Sequence, residues 1–312
     1  MSTALSRNEY DAIVVGGSYA GLSAATQLAR ARRRVLVIDA GQRRNRYARH
    51  SHGFLTQDGT EGAAIAAQGK EQLLAYPTVT WLNAKAETAT ATAHGFSVKL
   101  ADGTCSSGAS FSASRLVLAT GMIDELPKIE GVAERWGSSI FQCPYCDGYE
   151  LGEGNIGLLA AGQISMHQAT ILPDWGRLTL FLNDTFEPDA AELATLSKRG
   201  VTIERTAVQR IDGQADVVLR DGRLLPMDGL FITSKVHMAS PLATQLGCAL
   251  KQGPTGMYVQ TDMMKASTTA GVYCCGDTAS MAPSVAFAVA DGAMAGVAAH
   301  QSLIFGAVAA QI

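Results

Sequence analysis

This chain has little charge and no long apolar run. Of its 312 residues, 17% are Asp, Glu, Lys or Arg, and the net charge is −3. With no concentrated basic face, nucleic acid is not an expected partner; the run Arg30-Ala31-Arg32-Arg33-Arg34 reads as the solvated end of a helix. No stretch approaches the length of apolar sequence that spans a membrane, and Met1–Tyr10 is short and polar, without the apolar centre of a secretory signal. The expectation is a cytoplasmic protein with no membrane partner. Cysteine is limited to positions 105, 143, 146, 248, 274 and 275, a spacing that matches no secreted disulfide framework. Zinc would need four ligands, and no second CxxC or HxxxH supplies the other pair, so no metal is expected.

Against these absences stands one dense segment, Cys143-Pro144-Tyr145-Cys146-Asp147-Gly148-Tyr149-Glu150. Two thiols three residues apart at a helix start can close and reopen a disulfide, and a helix N-terminus favours the thiolate that drives exchange. Proline suits the first helical position, where its missing N–H is no loss. Cys143 is therefore expected at the cap and Cys146 one turn in. Asp147 is the candidate acid/base, provided that burial raises its pKa.

The glycines, 32 in a chain that is 47% hydrophobic, suit a punctuated α/β architecture of two domains. Ala12-Ile13-Val14-Val15 reads as a buried strand, followed by Gly16-Gly17-Ser18-Tyr19-Ala20-Gly21, a helix over 22–31 and a strand over 34–39 that ends in Asp39. That is the βαβ dinucleotide fingerprint. Gly16 allows the tight turn, Gly21 lets the helix close on the strand, the helix N-terminus faces a pyrophosphate, and Asp39 accepts from a ribose hydroxyl. Ser18 replaces the usual middle glycine with a small side chain. Two further strands run into Ala119-Thr120-Gly121 and into Gly276-Asp277, the latter ahead of an Ala-rich helix from about Ser284 to His300.

Together these segments resemble the two-dinucleotide flavoproteins. The Cys143–Cys146 pair narrows the resemblance to thioredoxin reductase-like enzymes of the low-molecular-weight type, over nearly the whole chain. The resemblance implies an α/β fold of two Rossmann-like domains, the second inserted into the first. An FAD-binding domain would comprise 1–123 and 240–312, and a pyridine-nucleotide-type domain, 124–239, would carry the CxxC. FAD is implied on Gly16, Ser18, Tyr19, Ala20, Gly21, Asp39 and Ala40, and along Ala119, Thr120, Gly121, Gly276 and Asp277, with Asp277 bonding the ribityl chain. Ser284 and Val285 would lie near the pyrimidine edge of the flavin, where a positive helix end favours the anionic reduced ring. Arg44, Asn45, Gln57 and Asp58 occupy the stretch that passes the flavin in such proteins. His52 is either a catalytic group or a satisfied loop residue. A homodimer is expected from the family alone.

The second domain lacks what a nicotinamide donor needs. At its three glycine-type positions stand Ala160, Gly162 and Ser165, and the first change puts a Cβ where the tight turn wants none. From Asn183 through Ser197 there is no Lys or Arg to hold a 2′-phosphate, while Asp184, Glu187 and Asp189 would repel one. NADH is less firmly opposed, since Asp184 could take a ribose hydroxyl. The combination resembles the FAD-dependent dithiol oxidases that close disulfides in natural products such as gliotoxin, holomycin and romidepsin. It implies that a small-molecule dithiol reduces Cys143–Cys146, the pair reduces FAD, and O₂ reoxidises the flavin to give H₂O₂. The alternative is a thioredoxin reductase-like disulfide reductase fed by ferredoxin or NADH. Cys274 and Cys275 are expected to pack in the core, and Cys105 and Cys248 to be inert.

Overall fold

A computed structural model describes residues 8–102 and 108–308, so Cys105 lies outside the described residues. By internal contacts the chain divides into two units, Met1–Arg44, Ala63–Ile123 and His237–Ile312 forming one, Asn45–Gly62 and Asp124–Val236 the other. Asn45–Gly62 thus departs from the sequence reading, which runs the first domain unbroken to residue 123. Its backbone is packed into the second unit: Gly137 approaches Tyr47 so closely that a Cβ there would stand 2.6 Å from the Tyr47 carbonyl carbon.

The first unit is built on a seven-stranded sheet. Strands Val79–Asn83, Val35–Asp39, Glu9–Val15 and Ser110–Leu118 lie side by side in parallel, with Val272–Cys274 parallel to the end of Ser110–Leu118. The hairpin Ala86–Thr92 and Gly95–Leu100 extends the sheet antiparallel. Ala12, Ile13 and Val14 are fully buried, as expected of a parallel strand covered on both faces. Alternation then sends Ile13 and Val15 into one core cluster, with Phe96 and Phe111, and Ala12 and Val14 into the other, with Leu28 and Ala299. Cys274 and Cys275 follow the same rule and face opposite cores, so neighbouring positions in sequence place their thiols on opposite sides of the sheet.

The first helix spans Tyr19–Arg30 and the last Val285–Phe305, five residues beyond the expected end. They pack through small residues. A Cβ on Gly292 would overlap the Ala20 carbonyl oxygen, and one on Gly296 would stand 2.9 Å from Gln27 Cβ.

The second unit has a five-stranded parallel sheet, ordered Ile140–Phe141, Gly229–Ile232, Asn155–Leu159, Arg177–Phe181, Thr202–Glu204. An antiparallel set, Val208–Asp212, Asp216–Leu219 and Leu224–Leu225, packs its apolar residues with that sheet's core. Helix Ala190–Lys198 begins on a reciprocal capping box, Asp189 accepting from the Glu192 N–H at 2.8 Å and Glu192 accepting from the Asp189 N–H at 2.9 Å. The architecture is the expected α/β pair of Rossmann-type bodies. No helix among the described residues is long and apolar enough to cross a membrane.

Because the two long helices meet at glycine, Gly296→Val should overpack that contact and cost about 1–3 kcal/mol of stability. Urea unfolding, with the midpoint lowered at unchanged slope, is the check.

Candidate functional site

At the C-terminal end of Glu9–Val15 the chain turns through Gly16, whose φ is +102° and whose Cβ, were there one, would overlap the Ala119 carbonyl oxygen. A Cβ on Gly21 would overlap the Gly16 carbonyl oxygen in turn. Ser18 has φ −90° and caps the helix by position, without a side-chain capping bond. The site it occupies therefore makes no demand that only glycine could meet. Asp39 ends its strand and accepts the Gly17 N–H at 3.0 Å, and Ala40 follows it. The Trp81 ring closes the far side, where a Cβ on Gly17 would overlap it. This bare turn, with Tyr19 and Ala20 opening a 12-residue helix behind it, fits the pyrophosphate of a dinucleotide.

The same end of the sheet gathers the other expected residues of the first unit. Ala119-Thr120-Gly121 follows Ser110–Leu118, and the Thr120 and Thr278 hydroxyls lie 2.8 Å apart, with Thr278 donating to the Gly121 carbonyl at 3.0 Å. Gly276 opens the short turn Gly276–Ala279. Asp277 is held by Arg44, whose guanidinium donates to its carboxylate at 3.0 Å across 233 residues of sequence. Both side chains are mostly buried, so each neutralises the other. Ser284 caps the last helix by accepting the Phe287 N–H at 3.0 Å, ahead of Val285. Asn45, Gln57 and Asp58 belong to the second unit, and Asp58 accepts the Gly53 N–H at 2.8 Å within its own loop.

Behind this turn lie three thiols. Cys274 and Cys275 are fully buried and Cys248 nearly so. A hydrogen bond with Cys248, then burial, pushes the Cys274 thiol up, and burial pushes Cys275 up. At Cys248, hydrogen bonding from Cys274 above all, opposed by burial and helped by Ser267 and Thr269, draws the thiol down to about 6. Its sulfur lies 3.4 Å from Ser267 Oγ.

In the second unit, Ile140–Phe141 pairs at the sheet edge with Leu230 and Phe231, and the next backbone carbonyl, of Gln142, accepts from Gln168 Nε2 at 2.7 Å. Gln168 is itself fixed by the Thr233 hydroxyl at 2.6 Å. The chain so anchored delivers Cys143 as N-cap, Pro144 as the first helical residue and Cys146 one turn in. The two cysteines are joined in a disulfide with Cα atoms 5.3 Å apart. The helix, Pro144–Asp147, is a single turn. It carries little macrodipole, so the thiolate preference expected of a helix start has a weaker source here. The residue after the helix is tightly specified: a Cβ on Gly148 would stand 2.6 Å from both the Pro144 carbonyl oxygen and Trp175 Cδ1. Trp175 also meets the Tyr145 ring edge-on at 5.1 Å. Tyr145 and Tyr149 flank the disulfide at 73% and 87% exposure, open to a substrate.

Asp147 is the most strongly perturbed carboxyl here. Burial first, then the Glu150 carboxylate, push it up to about 7, while His52 pulls the other way. Glu150, which sequence reasoning passed over, lies 3.3 Å from His52 Nδ1. Its only sequence signal is its place three residues after Asp147. Among the described residues no group of three His, Cys, Asp or Glu side chains could hold a metal ion.

The turn after Asn155–Leu159 contrasts with the turn at Gly16. Gly162 has φ +112°, but Ser165 is fully buried and its hydroxyl accepts the Ala161 N–H at 2.9 Å. The Gln163 side chain is tied to Glu192. Asn183 and Asp184 both adopt left-handed backbone, with Asp184 exposed. The cation nearest these acids in hydrogen-bond terms, Arg205, is paired with Glu187 at 2.7 Å. The Ser165 hydroxyl and the Gln163–Glu192 pair are the side-chain contacts made at this turn.

The family model described as pyridine nucleotide-disulphide oxidoreductase matches residues 10–298. The chain is 32% identical to the thioredoxin reductase tcpT of Claviceps purpurea, over 95% of each. It is 39% identical over 153 residues to a probable thioredoxin reductase of Arthroderma benhamiae, a match that spans 49% of this chain and 38% of that one. Among solved structures it is similar to an oxidoreductase from Agrobacterium tumefaciens, with 50% identity and a TM-score of 0.91 over 95% of this chain and 99% of that one. It is also similar to HlmI, with 28% identity and a TM-score of 0.87 over 98% and 96%.

Asp147 couples this site to pH. The folded chain holds its proton to about pH 7, whereas an unperturbed aspartate releases it near 3.8. Between those values the folded state binds more protons than the unfolded one, so stability falls as pH rises through the window. Asp147→Asn should remove that slope and exceed the parent in stability at pH 8, by at most about 4 kcal/mol. Urea unfolding of both proteins across pH 4 to 8 is the measurement; identical slopes would mean that the carboxyl is not raised.

Proposed function

Since the chain belongs to the pyridine nucleotide-disulphide oxidoreductase family, we propose that this flavin-dependent thiol/disulfide oxidoreductase works as a dithiol oxidase, closing an intramolecular disulfide in a small-molecule dithiol. The observation that carries the reading is the contrast between the two turns. The first unit has glycine at 16 and 21, where a Cβ would overlap a backbone carbonyl oxygen, while the second has Ala160 and a buried Ser165 at the matching places and acids after the next strand. With that turn closed to a nicotinamide donor, the substrate itself supplies the electrons.

The cofactor in this reading is FAD, held by Gly16, Ser18, Tyr19, Ala20 and Gly21 at the pyrophosphate and by Asp39 at a ribose. Ala40, Ala119, Thr120, Gly121, Arg44, Gly276, Asp277, Ser284 and Val285 complete its surroundings, with Asn45, Gln57 and Asp58 as further proposed contacts. When bound, FAD takes two electrons from a dithiol and passes them to O₂, giving H₂O₂. A second copy of the chain, as a homodimer, and a cytoplasmic setting belong to the same proposal.

The protein's own steps are thiol chemistry. Asp147, ionised on the alkaline side of neutrality, takes the proton of the incoming substrate thiol. The substrate sulfur then bonds to Cys143 Sγ, the Cys143–Cys146 bond breaks, and its electron pair remains on Cys146 as thiolate. The second substrate thiol gives its proton to solvent and attacks the substrate sulfur bound to Cys143. A substrate disulfide forms, Cys143 leaves as thiolate, and the enzyme pair holds the two electrons. Exposed Tyr145 and Tyr149 offer apolar faces beside the disulfide, suited to a compact dithiol more than to a charged one.

The names of the relatives favour a second reading, a thioredoxin reductase-like disulfide reductase fed by ferredoxin or NADH. Anaerobic stopped-flow separates the two. A small dithiol should bleach the oxidised flavin and air should restore it with release of H₂O₂, while NADPH leaves it oxidised. Cys143→Ser should keep the flavin yet slow the bleaching by dithiol by at least ~10³-fold. Rapid bleaching by NADPH, or by ferredoxin alone, would overturn the oxidase.

A further inference from the structure

We propose that His52 and Glu150 form a positioning pair for Asp147, with Asp58 behind His52, so that the carboxyl handling the thiol proton works beside a paired imidazole and carboxylate. The proposal rests on the reading of Asp147 as the acid/base, and it adds two residues that the dithiol chemistry does not by itself require.

The geometry starts from a short loop. His50–Ser51 and Thr60–Glu61 pair antiparallel, with Ser51 opposite Thr60. Gly59 N–H donates to the Ser51 carbonyl at 3.0 Å, and Gln57 N–H to the Phe54 carbonyl at 2.9 Å. Asp58, a largely exposed side chain, accepts from Gly53 N–H at 2.8 Å and lies 3.7 Å from His52 Nδ1. The loop therefore presents His52 from a fixed base, with the ring 21% exposed. On the other side, Glu150 follows Asp147 by three residues, a spacing that puts two carboxylates on one side of a helical turn. Its carboxylate reaches His52 Nδ1 at 3.3 Å.

The titratable groups facing Asp147 are thus Glu150 from its own turn and His52 from the loop, with Asp58 behind His52. Glu150 raises Asp147 and His52 lowers it, and burial supplies the rest. Exposed ion pairs contribute little to stability, so a half-exposed Glu150 paired to a loop histidine has little value as a brace. Its value lies in the field that it sets at Asp147.

The test is the pH dependence of one half-reaction in the flavin-loaded protein, the reduction of Cys143–Cys146 by dithiothreitol, followed by rapid quench and thiol counting. The parent should show an inflection at about pH 7, absent in Asp147→Asn. His52→Gln should move it upward and Glu150→Gln downward, each by about one pH unit, and the double variant should return it toward the parent. Asp58→Asn should move it upward by less. An inflection that stays put in both single variants, or moves the same way in both, overturns the pair. Should either glutamine variant lose its flavin, His52→Asn and Glu150→Ala are read in the same way. Because oxygen takes no part in this half-reaction, an unmoved inflection in an enzyme that does make H₂O₂ sinks this inference alone. Opposite shifts in an enzyme that makes none sink the oxidase alone.

Discussion

Where a parallel strand turns into a helix, the backbone N–H groups of the turn point outward, and each donor is best served by one acceptor. A phosphate can be that acceptor, or a side chain can. At Gly16–Gly21 the Asp39 carboxylate takes the Gly17 N–H, and the turn's serine, Ser18, makes no capping bond with its side chain. At Ala160–Ser165 the serine is buried and folded over the Ala161 N–H. Both turns satisfy the N–H after their first residue with a side chain, and they differ in carrying glycine at 16 and 21 where the second carries Ala160 and Ser165. A hydroxyl in that place also resists displacement, because moving it would leave a fully buried polar group without its partner.

The disulfide depends on a different kind of constraint. A four-residue helix has too few hydrogen bonds to hold itself, so its geometry is imposed from outside. Gln168 fixes the carbonyl of Gln142 before it, and Trp175 closes on Gly148 after it. Between these two anchors Pro144 sets the backbone of the first helical position, and Cys143 and Cys146 are left facing each other. The anchors hold the backbone and not the sulfurs, so the S–S bond can open and close without rebuilding its surroundings. The exposed tyrosines beside it reflect the same arrangement: one ring edge of Tyr145 is taken by Trp175, and the rest faces outward.

Much of this was legible in the sequence because it is local. Glycine spacing, the apolar runs of the parallel strands and the Cys-Pro-Tyr-Cys segment each act within a dozen residues, and the two Rossmann bodies arise from them. What could not be read is what the fold brings together from afar. Arg44 and Asp277 are separated by 233 residues, and nothing in either segment names the other. Asn45–Gly62 looks like a continuation of the first domain, yet its packing around Tyr47 joins it to the second. Cys274 and Cys275 divide between two cores, as strand alternation requires, but the partner of Cys274 is Cys248 from a different element. Glu150 gave only a spacing until the loop at His52 was placed beside it.

The direction of electron flow is the last matter these contacts bear on. A dithiol–disulfide pair is reversible, and whether it gives or takes electrons is set by the potentials of its partners and by which partners can bind. Local charge acts on that second term. Around a 2′-phosphate, Asp184, Glu187 and Asp189 are repulsive, and Arg205 is already neutralised by Glu187. Discrimination built from such unfavourable contacts needs no new favourable one. Under the proposed reading, the same redox pair that serves reduction where a nicotinamide can bind is committed to oxidation here. In that reading what commits it is the absence of a basic cluster after the second turn, without any change at the sulfurs themselves. Asp147 fits either direction, since a carboxyl raised to about 7 can take a proton from an arriving thiol or return one to a departing thiolate. The chemistry at Cys143 and Cys146 is therefore general, and under the proposed reading its direction is set by which electron donor the second unit admits.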